Sequence, residues 1–353
     1  MMKKLSVCIL FGGMGSEHEV SLRSAESLLN HIDHTKYNIF PVGITQDGDW
    51  IYYGGKDYSL LPTGAWKTHP DNRRATISPV RGQGLLTFEG DCVVRERIDV
   101  VFPLFHGESG KDTSIHSLLQ LSGIPCVGSH AAASAVAMDA TLTKLVADQA
   151  GVPQAAWHLV RRVDLEHHMD NTLAALEKKL TYPMLVSGSS AGASMASDRD
   201  GLLSALQSAS LSGSKVLVEE CIHGQEVEVA VMGNDNPVVS ICGEIVPCSD
   251  LPDRESGYVT DTSVTYIPAR ISEEVEELVR EAAVKVYNAV GCRGLSRVDF
   301  FVTSEDKRVI FRRINTTPDF ASTSMYPRLF AASGISYSDL IDELLKLAQE
   351  AYV

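Results

Sequence analysis

The sequence predicts an α/β protein (α+β overall) of two or three domains, with a parallel sheet near its start and strand-richer blocks behind it. Three observations carry that reading. Over roughly the first hundred residues, short apolar runs alternate with stretches of helical period, the pattern of a parallel sheet flanked by helices. At 353 residues the chain is longer than one hydrophobic core supports. Its 44% hydrophobic and 22% charged residues are the ordinary content of a folded globular protein.

Taken in order, residues 5–11 read as a buried strand ended by Gly12 and Gly13. A helix over 21–32 follows, with Leu22, Ala25, Leu29 and Ile32 on one stripe. A second strand, 37–43, runs into Asp47-Gly48, a hairpin turn signal. Residues 54–97 are polar and dotted with Gly and Pro, and read as loops and a hairpin. The apolar run 98–105 is a strand ending at His106. Residues 131–151 read as one helix, broken by Gly151 and Pro153.

A domain junction is expected near residue 138, giving units 1–138, 139–214 and 215–353. The second unit reads as strand 156–160, helix 164–180, strand 182–186, a small-residue loop 187–196 and helix 200–209, with strand 215–222 opening the third. The third is strand-rich to 268, then carries a helix over 272–290 with Val275, Leu278, Ala282 and Val286 inward, and closes on a helix over 337–351.

A net charge of −14 without an acidic run argues against nucleic acid and anionic membranes as partners. The seven Cys are scattered, odd in number and without a C-x-x-C, so buried thiols in a reducing compartment fit better than disulfides or zinc. The first apolar run is too short for a signal-peptide core, and no apolar window reaches the ~18 residues of a membrane span, so a cytoplasmic location is expected. His167 and His168 on a polar helix read as surface residues, and no P-loop or nucleophile elbow is present.

The most informative stretch is Arg297-Val298-Asp299-Phe300-Phe301 with Phe311-Arg312-Arg313-Ile314-Asn315 ten residues on. As neighbouring strands, alternation puts Arg297 and Asp299 on one face, and Phe311, Arg313 and Asn315 on one face of the second. Asp299 with an acid-x-Asn pair would make an oxygen cage for Mg²⁺, but the acid's place is taken by Arg313. A guanidinium ~4 Å from a divalent ion is repelled by about 8 kcal/mol at an effective dielectric of about 20. Arg313 could instead occupy the metal's place and pair with Asp299.

From these residues outward the chain resembles the D-alanine–D-alanine ligase family of the ATP-grasp superfamily, including its D-alanine–D-serine members. The resemblance rests on Phe11-Gly12-Gly13 through Ser16-Glu17 to Ser21, on Phe102-Pro103-Leu104-Phe105-His106, and on Gly123 through Gly128. It continues in Glu219-Glu220 to Glu226, in Gly291 through Phe301, in Ile314-Asn315 to Pro318, and in Ser324 to Pro327. It implies an ATP-grasp fold behind an N-terminal Rossmann-like domain, a homodimer, and Mg·ATP-dependent joining of two D-amino acids for peptidoglycan precursors.

The resemblance also implies roles. Glu17 would hold the first substrate's ammonium, although it could instead cap the following helix. His106 would lie near that substrate's carboxylate, and Arg297 would stabilise the acyl-phosphate, although it could simply pair with Asp299. Ser324 would orient the second carboxylate, and Tyr258 belongs to the closing loop. Glu219, Cys221, Ile222, Glu226 and Ser194 match the nucleotide edge, and Asp299 and Asn315 the metal ligands. The reaction needs lysines on the phosphates, a Gly-rich loop and carboxylates for Mg²⁺.

On the nucleotide side the chain departs from that pattern. Ala140, Ser187 and Gly257 stand where the family has lysines, and Ala193 and Ala196 alter the phosphate loop. Lys144 and Lys215 remain nearby. Asp319 replaces a glycine whose amide faces the tetrahedral intermediate, and Gly110-Lys111-Asp112-Thr113 departs from Gly-Glu-Asp-Gly. The leading expectation is a ligase-like protein without catalysis and without bound ATP or Mg²⁺, keeping a pocket near Glu17 and His106. A working ligase with its lysines supplied from elsewhere, Lys144 first, and a non-catalytic partner of a cell-wall enzyme are the alternatives.

Overall fold

The structure, a computed structural model, describes residues 4–106, 113–188, 192–247, 258–259 and 263–352. Its strands form three sheets.

The first sheet is centred on β1 (Leu5–Gly12), which pairs in parallel with β2 (Tyr37–Ile44) and β7 (Val100–Leu104), with α1 (His18–His31) crossing between β1 and β2. The turn at Asp47-Gly48 forms as expected, with Gly48 at φ +90°, and leads into β3 (Trp50–Tyr52) antiparallel to β2. The stretch read as loops and a hairpin holds loops, short turns and three strands, one more than a hairpin supplies. β4 (Arg73–Ile77), β5 (Leu85–Glu89) and β6 (Cys92–Glu96) continue the antiparallel meander to a seven-stranded order β6-β5-β4-β3-β2-β1-β7. These strands are half-exposed and polar, so their hydrophobic period was too weak to read.

Beyond α2 (Ser114–Ser122), the single helix expected over 131–151 is two, α3 (Ala131–Met138) and α4 (Ala140–Gln149). Asp139 leaves the helical region (φ −88°, ψ 102°) and caps α4, its Oδ1 accepting from the Thr141 and Leu142 amides. An Asp that competes for backbone amides does this more readily than it continues a helix.

The second sheet has the order β10-β9-β11-β8, from β8 (Trp157–Arg161), β9 (Met184–Gly188), β10 (Ser194–Ala196) and β11 (Lys215–Glu220), with α5 (Arg162–Lys179) and α6 (Arg199–Ser210) packed on it. The third has the order β14-β15-β13-β12-β16-β17, from β12 (Gly224–Gly233), β13 (Val238–Pro247), β14 (Tyr258–Val259), β15 (Ser263–Tyr266), β16 (Gly294–Thr303) and β17 (Val309–Asn315). Across it lies α7 (Glu273–Val290), capped by Ser272 and ended by Gly291 at φ +76°. Its inward stripe is Val275, Val279, Ala282, Val286 and Val290, whereas Leu278, expected inward, is 53% exposed. Four residues separate Val275 from Val279 and put both over one groove; Leu278 falls about 100° away.

The chain's end returns to its beginning. α8 (Met325–Ala332) and α9 (Tyr337–Glu350) share one core with β1, α1 and β7, in which Leu340, Leu344 and Phe330 meet Leu28, Phe102 and Leu104. Tyr37 Oη donates to Asp342 at 2.9 Å across that seam. This brings the loop after β17 against α1. Of the described thiols, Cys8, Cys242 and Cys292 are buried as expected, whereas Cys92 on the edge strand β6 is exposed. Among the described residues no helix is long and apolar enough to cross a membrane.

Candidate functional site

Two polar clusters form where the strands and the returning loop meet. The first is on the third sheet. β16 pairs with β17 antiparallel, setting Arg297 against Asn315 and Asp299 against Arg313, while β12 on its other side sets Glu228 against Asp299. The expected alternation of β17 fails below Arg313. A register shift leaves Arg312 outside the pairing, so Phe311 pairs with Phe300 and lies in the core, 1% exposed, rather than sharing a face with Arg313.

Asp299 is fully buried, and guanidinium groups take both of its oxygens. Oδ1 accepts from Arg297 Nε at 2.8 Å, and Oδ2 from Arg297 Nη2 at 3.0 Å and Arg313 Nε at 2.6 Å. Arg297 also meets Glu228 Oε1 at 2.9 Å. Burial alone would raise the Asp299 carboxyl, but the charge and hydrogen bonds of Arg297, with those of Arg313, hold it below its ordinary value. Glu228 goes the other way. It is 1% exposed, its Oε2 has no hydrogen-bond partner, and burial followed by the Asp299 charge pushes it up to about 8.

Among the described residues, Glu226, Glu228 and Asp299 bring carboxylate oxygens within 4.8 Å of one another. Each is matched by arginine: Glu226 pairs with Arg312, Glu228 with Arg297, and Asp299 with Arg297 and Arg313. Asn315 directs its Oδ1 to the Thr317 amide at 3.0 Å. The residues present therefore do not fit a bound Mg²⁺. Arg313 stands beside Asp299 where a bridging acid was expected, its side chain 55% exposed, and solvent screening there reduces any repulsion it exerts.

Of the positions expected at a nucleotide edge, the glutamates are paired. Glu219, on β11, pairs with Lys144 at 2.6 Å, and that lysine is 4% exposed. Lys215 pairs with Asp139 at 2.6 Å. Cys221 and Ile222 are half-buried in the segment joining β11 to β12. Ala140 opens α4, Ser187 lies in β9 opposite Leu217, and Ala193 and Ser194 are exposed at β10. Gly257 and the side chain of Tyr258 lie outside the described residues, as do the Gly110–Asp112 positions.

The second cluster joins α1, the end of β7 and the loop after β17. Gly12 turns the chain at φ +89°, and a Cβ there would stand 2.2 Å from the Ile44 carbonyl oxygen. Glu17 follows in that loop, exposed, at the N-cap position of α1 but making no side-chain cap bond. Ser24, one turn into the helix and fully buried, donates to Asp319 Oδ1 at 2.7 Å and lies 3.1 Å from His106 Nε2. His106 Nδ1 is 3.2 Å from the Thr317 carbonyl oxygen. Ser324, the N-cap of α8, donates to Asp319 Oδ2 at 2.5 Å instead of capping its helix. Burial pushes the His106 imidazole below its ordinary 6.5, against the charge of Asp319, the Thr317 carbonyl and the charge of Glu17.

Of the positions singled out in the sequence, the fold gathers Arg297, Asp299, Arg313 and Glu226 into one cluster and His106, Ser324 and Asp319 into the other. Ser24 and Glu228 were not foreseen. Glu228 left a signal, an acid inside the apolar strand 227–232, whereas nothing local marks Ser24.

Comparison with known proteins places the chain in a family. A family model of the D-ala D-ala ligase N-terminus matches residues 6–129, and one of its C-terminus matches residues 146–346. The D-alanine–D-alanine ligase of Ruminiclostridium cellulolyticum is 42% identical over 365 aligned positions, covering 99% of this chain and 97% of its own. The VanG D-Ala:D-Ser ligase of Enterococcus faecalis superposes with a TM-score of 0.88 at 33% identity, over 98% of this chain and all of that one. The D-alanine–D-alanine ligase of Coxiella burnetii gives 0.85 at 30% identity, over 99% and 95%. The fold is ATP-grasp, and the chain belongs to the D-alanine–D-alanine ligase family.

Proposed function

We propose that this chain is a ligase-family protein that has lost Mg·ATP-dependent ligation and keeps a small-molecule pocket of D-amino-acid type beside Glu17 and His106. One observation carries the reading: both oxygens of the buried Asp299 are taken by guanidinium groups, one of them Arg313 in the place of a metal-bridging acid. The pairing of Lys144 with Glu219 supports it, because the lysine best placed to replace the lost ones is neutralised by a carboxylate.

On this reading the chain divides at about residues 138 and 214, acts in the cytoplasm within peptidoglycan precursor metabolism, and assembles as a homodimer. Glu17 receives the ligand's ammonium group and His106 lies near its carboxylate, while Glu219, Cys221, Ile222, Glu226 and Ser194 are remnants of a nucleotide edge. The relatives' names favour a second reading, an active ATP-dependent D-alanine–D-alanine or D-alanine–D-serine ligase.

Purified protein with Mg·ATP and D-alanine, with or without D-serine, separates the two. No phosphate release and no dipeptide by mass spectrometry is the expected result, and either product would establish the ligase. A thermal melt adds an independent arm: a ligand at 100 times its Kd stabilises by about 2.7 kcal/mol. No magnesium-dependent shift with ATP is expected.

A further inference from the structure

Three donors converge on the Asp319 carboxylate, one from α1 and two from the loop that carries Asp319 itself. Ser24 Oγ (2.7 Å) and the Ala321 amide (3.1 Å) reach Oδ1, and Ser324 Oγ (2.5 Å) reaches Oδ2. Ser24 comes from α1, and Ser324 leaves the first turn of α8 without its side-chain cap to make this bond. The field of Asp319 also reaches Arg297.

Proton bookkeeping adds a further constraint. Ser24 has one hydroxyl proton, and it goes to Asp319. His106 Nε2 can then only donate to Ser24 Oγ, and Nδ1 faces a carbonyl oxygen, which accepts only. Below its lowered midpoint His106 carries both protons and can make both bonds; above it, a single ring proton serves one of them. The groups facing it are Asp319 and Glu17, and in the small cavity that it lines, His116, whose Nδ1 is unpartnered. Whatever the state of His106, the three donors on Asp319 are satisfied by an acceptor such as its carboxylate.

We infer that Ser24, Ser324 and the Ala321 amide form a cradle for a small carboxylate that the Asp319 side chain fills from within, so that Asp319 excludes carboxylate-bearing ligands from this end of the pocket. The inference deepens the proposed function, resting on the retained pocket: its ligand is an amine whose carboxylate, if any, does not reach this cradle.

The test uses the full chain, with sodium acetate as probe and sodium chloride as the ionic control, reading the His106 ring nitrogens by NMR. In Asp319→Ala the His106 titration midpoint falls, and acetate restores it saturably in the millimolar range. In the unaltered chain His106 is indifferent to acetate. Adding Ser324→Ala to Asp319→Ala weakens the acetate response at least tenfold. Asp319→Asn, which keeps the side-chain volume, lowers the midpoint without admitting acetate.

An acetate response in the unaltered chain overturns the inference, as does a folded Asp319→Ala that ignores acetate. Dipeptide formation by the unaltered chain would defeat the proposed function and leave these titrations as they are.

Discussion

The two polar clusters are closed by different physics. On the third sheet, Asp299 is a buried charge neutralised by Arg297 and Arg313, with the buried Glu228 beside it on the neighbouring strand. At the loop cluster the donors are hydroxyls, an amide and an imidazole, and only Asp319 brings charge. A buried ion network fails when one member is removed, because the others stay buried and unpaired. A hydroxyl network loses one bond at a time. The strand cluster should therefore govern stability, and the loop cluster should govern which ligand enters.

The largest effect tests that contrast directly. Asp299→Ala leaves Arg297 buried against Glu228 alone, and should cost about 3–5 kcal/mol in urea unfolding. A loss below ~1 kcal/mol would mean that the network contributes little.

Ser24→Ala comes next, at about 1–3 kcal/mol, because it takes a partner from Asp319, from His106 and from the Phe320 amide. His106 itself gives a pH dependence. Its folded pKa lies below 6.5, so the unfolded chain binds the proton more readily, and the stability that His106 contributes is lost as pH falls below that value. His106→Asn should flatten that acid limb of the stability curve.

Glu228→Gln is expected to reverse in sign with pH. The folded Glu228 titrates near 8 against 4.5 in the unfolded chain, so it binds its proton more readily when folded. Its contribution is complete below 4.5 and is lost as pH rises toward 8. The substitution should remove that slope and leave the variant the more stable protein at pH 8, as followed by melts across the range.

The smallest stability effect belongs to Arg313→Gln. Asp299 keeps Arg297, and the removed side chain is half in solvent, so the cost should stay below about 1 kcal/mol. The same variant frees part of Asp299 Oδ2. A magnesium-dependent rise in melting temperature in the variant alone would identify Arg313 as the cation's substitute.

Much of this was legible from the sequence because it depends on short-range pattern. The run 5–11, the Asp47-Gly48 turn, the strand carrying Arg297 and Asp299 and the closing helix follow from period, turn chemistry and length, which neighbouring residues decide among themselves. The pairing of Asp299 with Arg313 was readable too, since two adjacent strands set their faces by alternation.

What local pattern misses is where a long-range contact overrides it. The bulge that frees Arg312 and turns Phe311 into the core depends on how β17 seats against Phe300, and the break at Asp139 on a capping bond competing with a continuous helix. The meander β3–β6 exists because an edge of the first sheet was there to extend. Ser24 and Asp319 lie 295 residues apart and meet only because α8 and α9 fold back onto β1 and β7. The sequence by itself determined the fold class, the family and the charge reversal at Arg313, all carried by residues close in the chain. Only the tertiary structure decided which donors converge on Asp319 and that Lys144 is spent on Glu219, because those partners are chosen by packing between distant segments and leave no periodic trace.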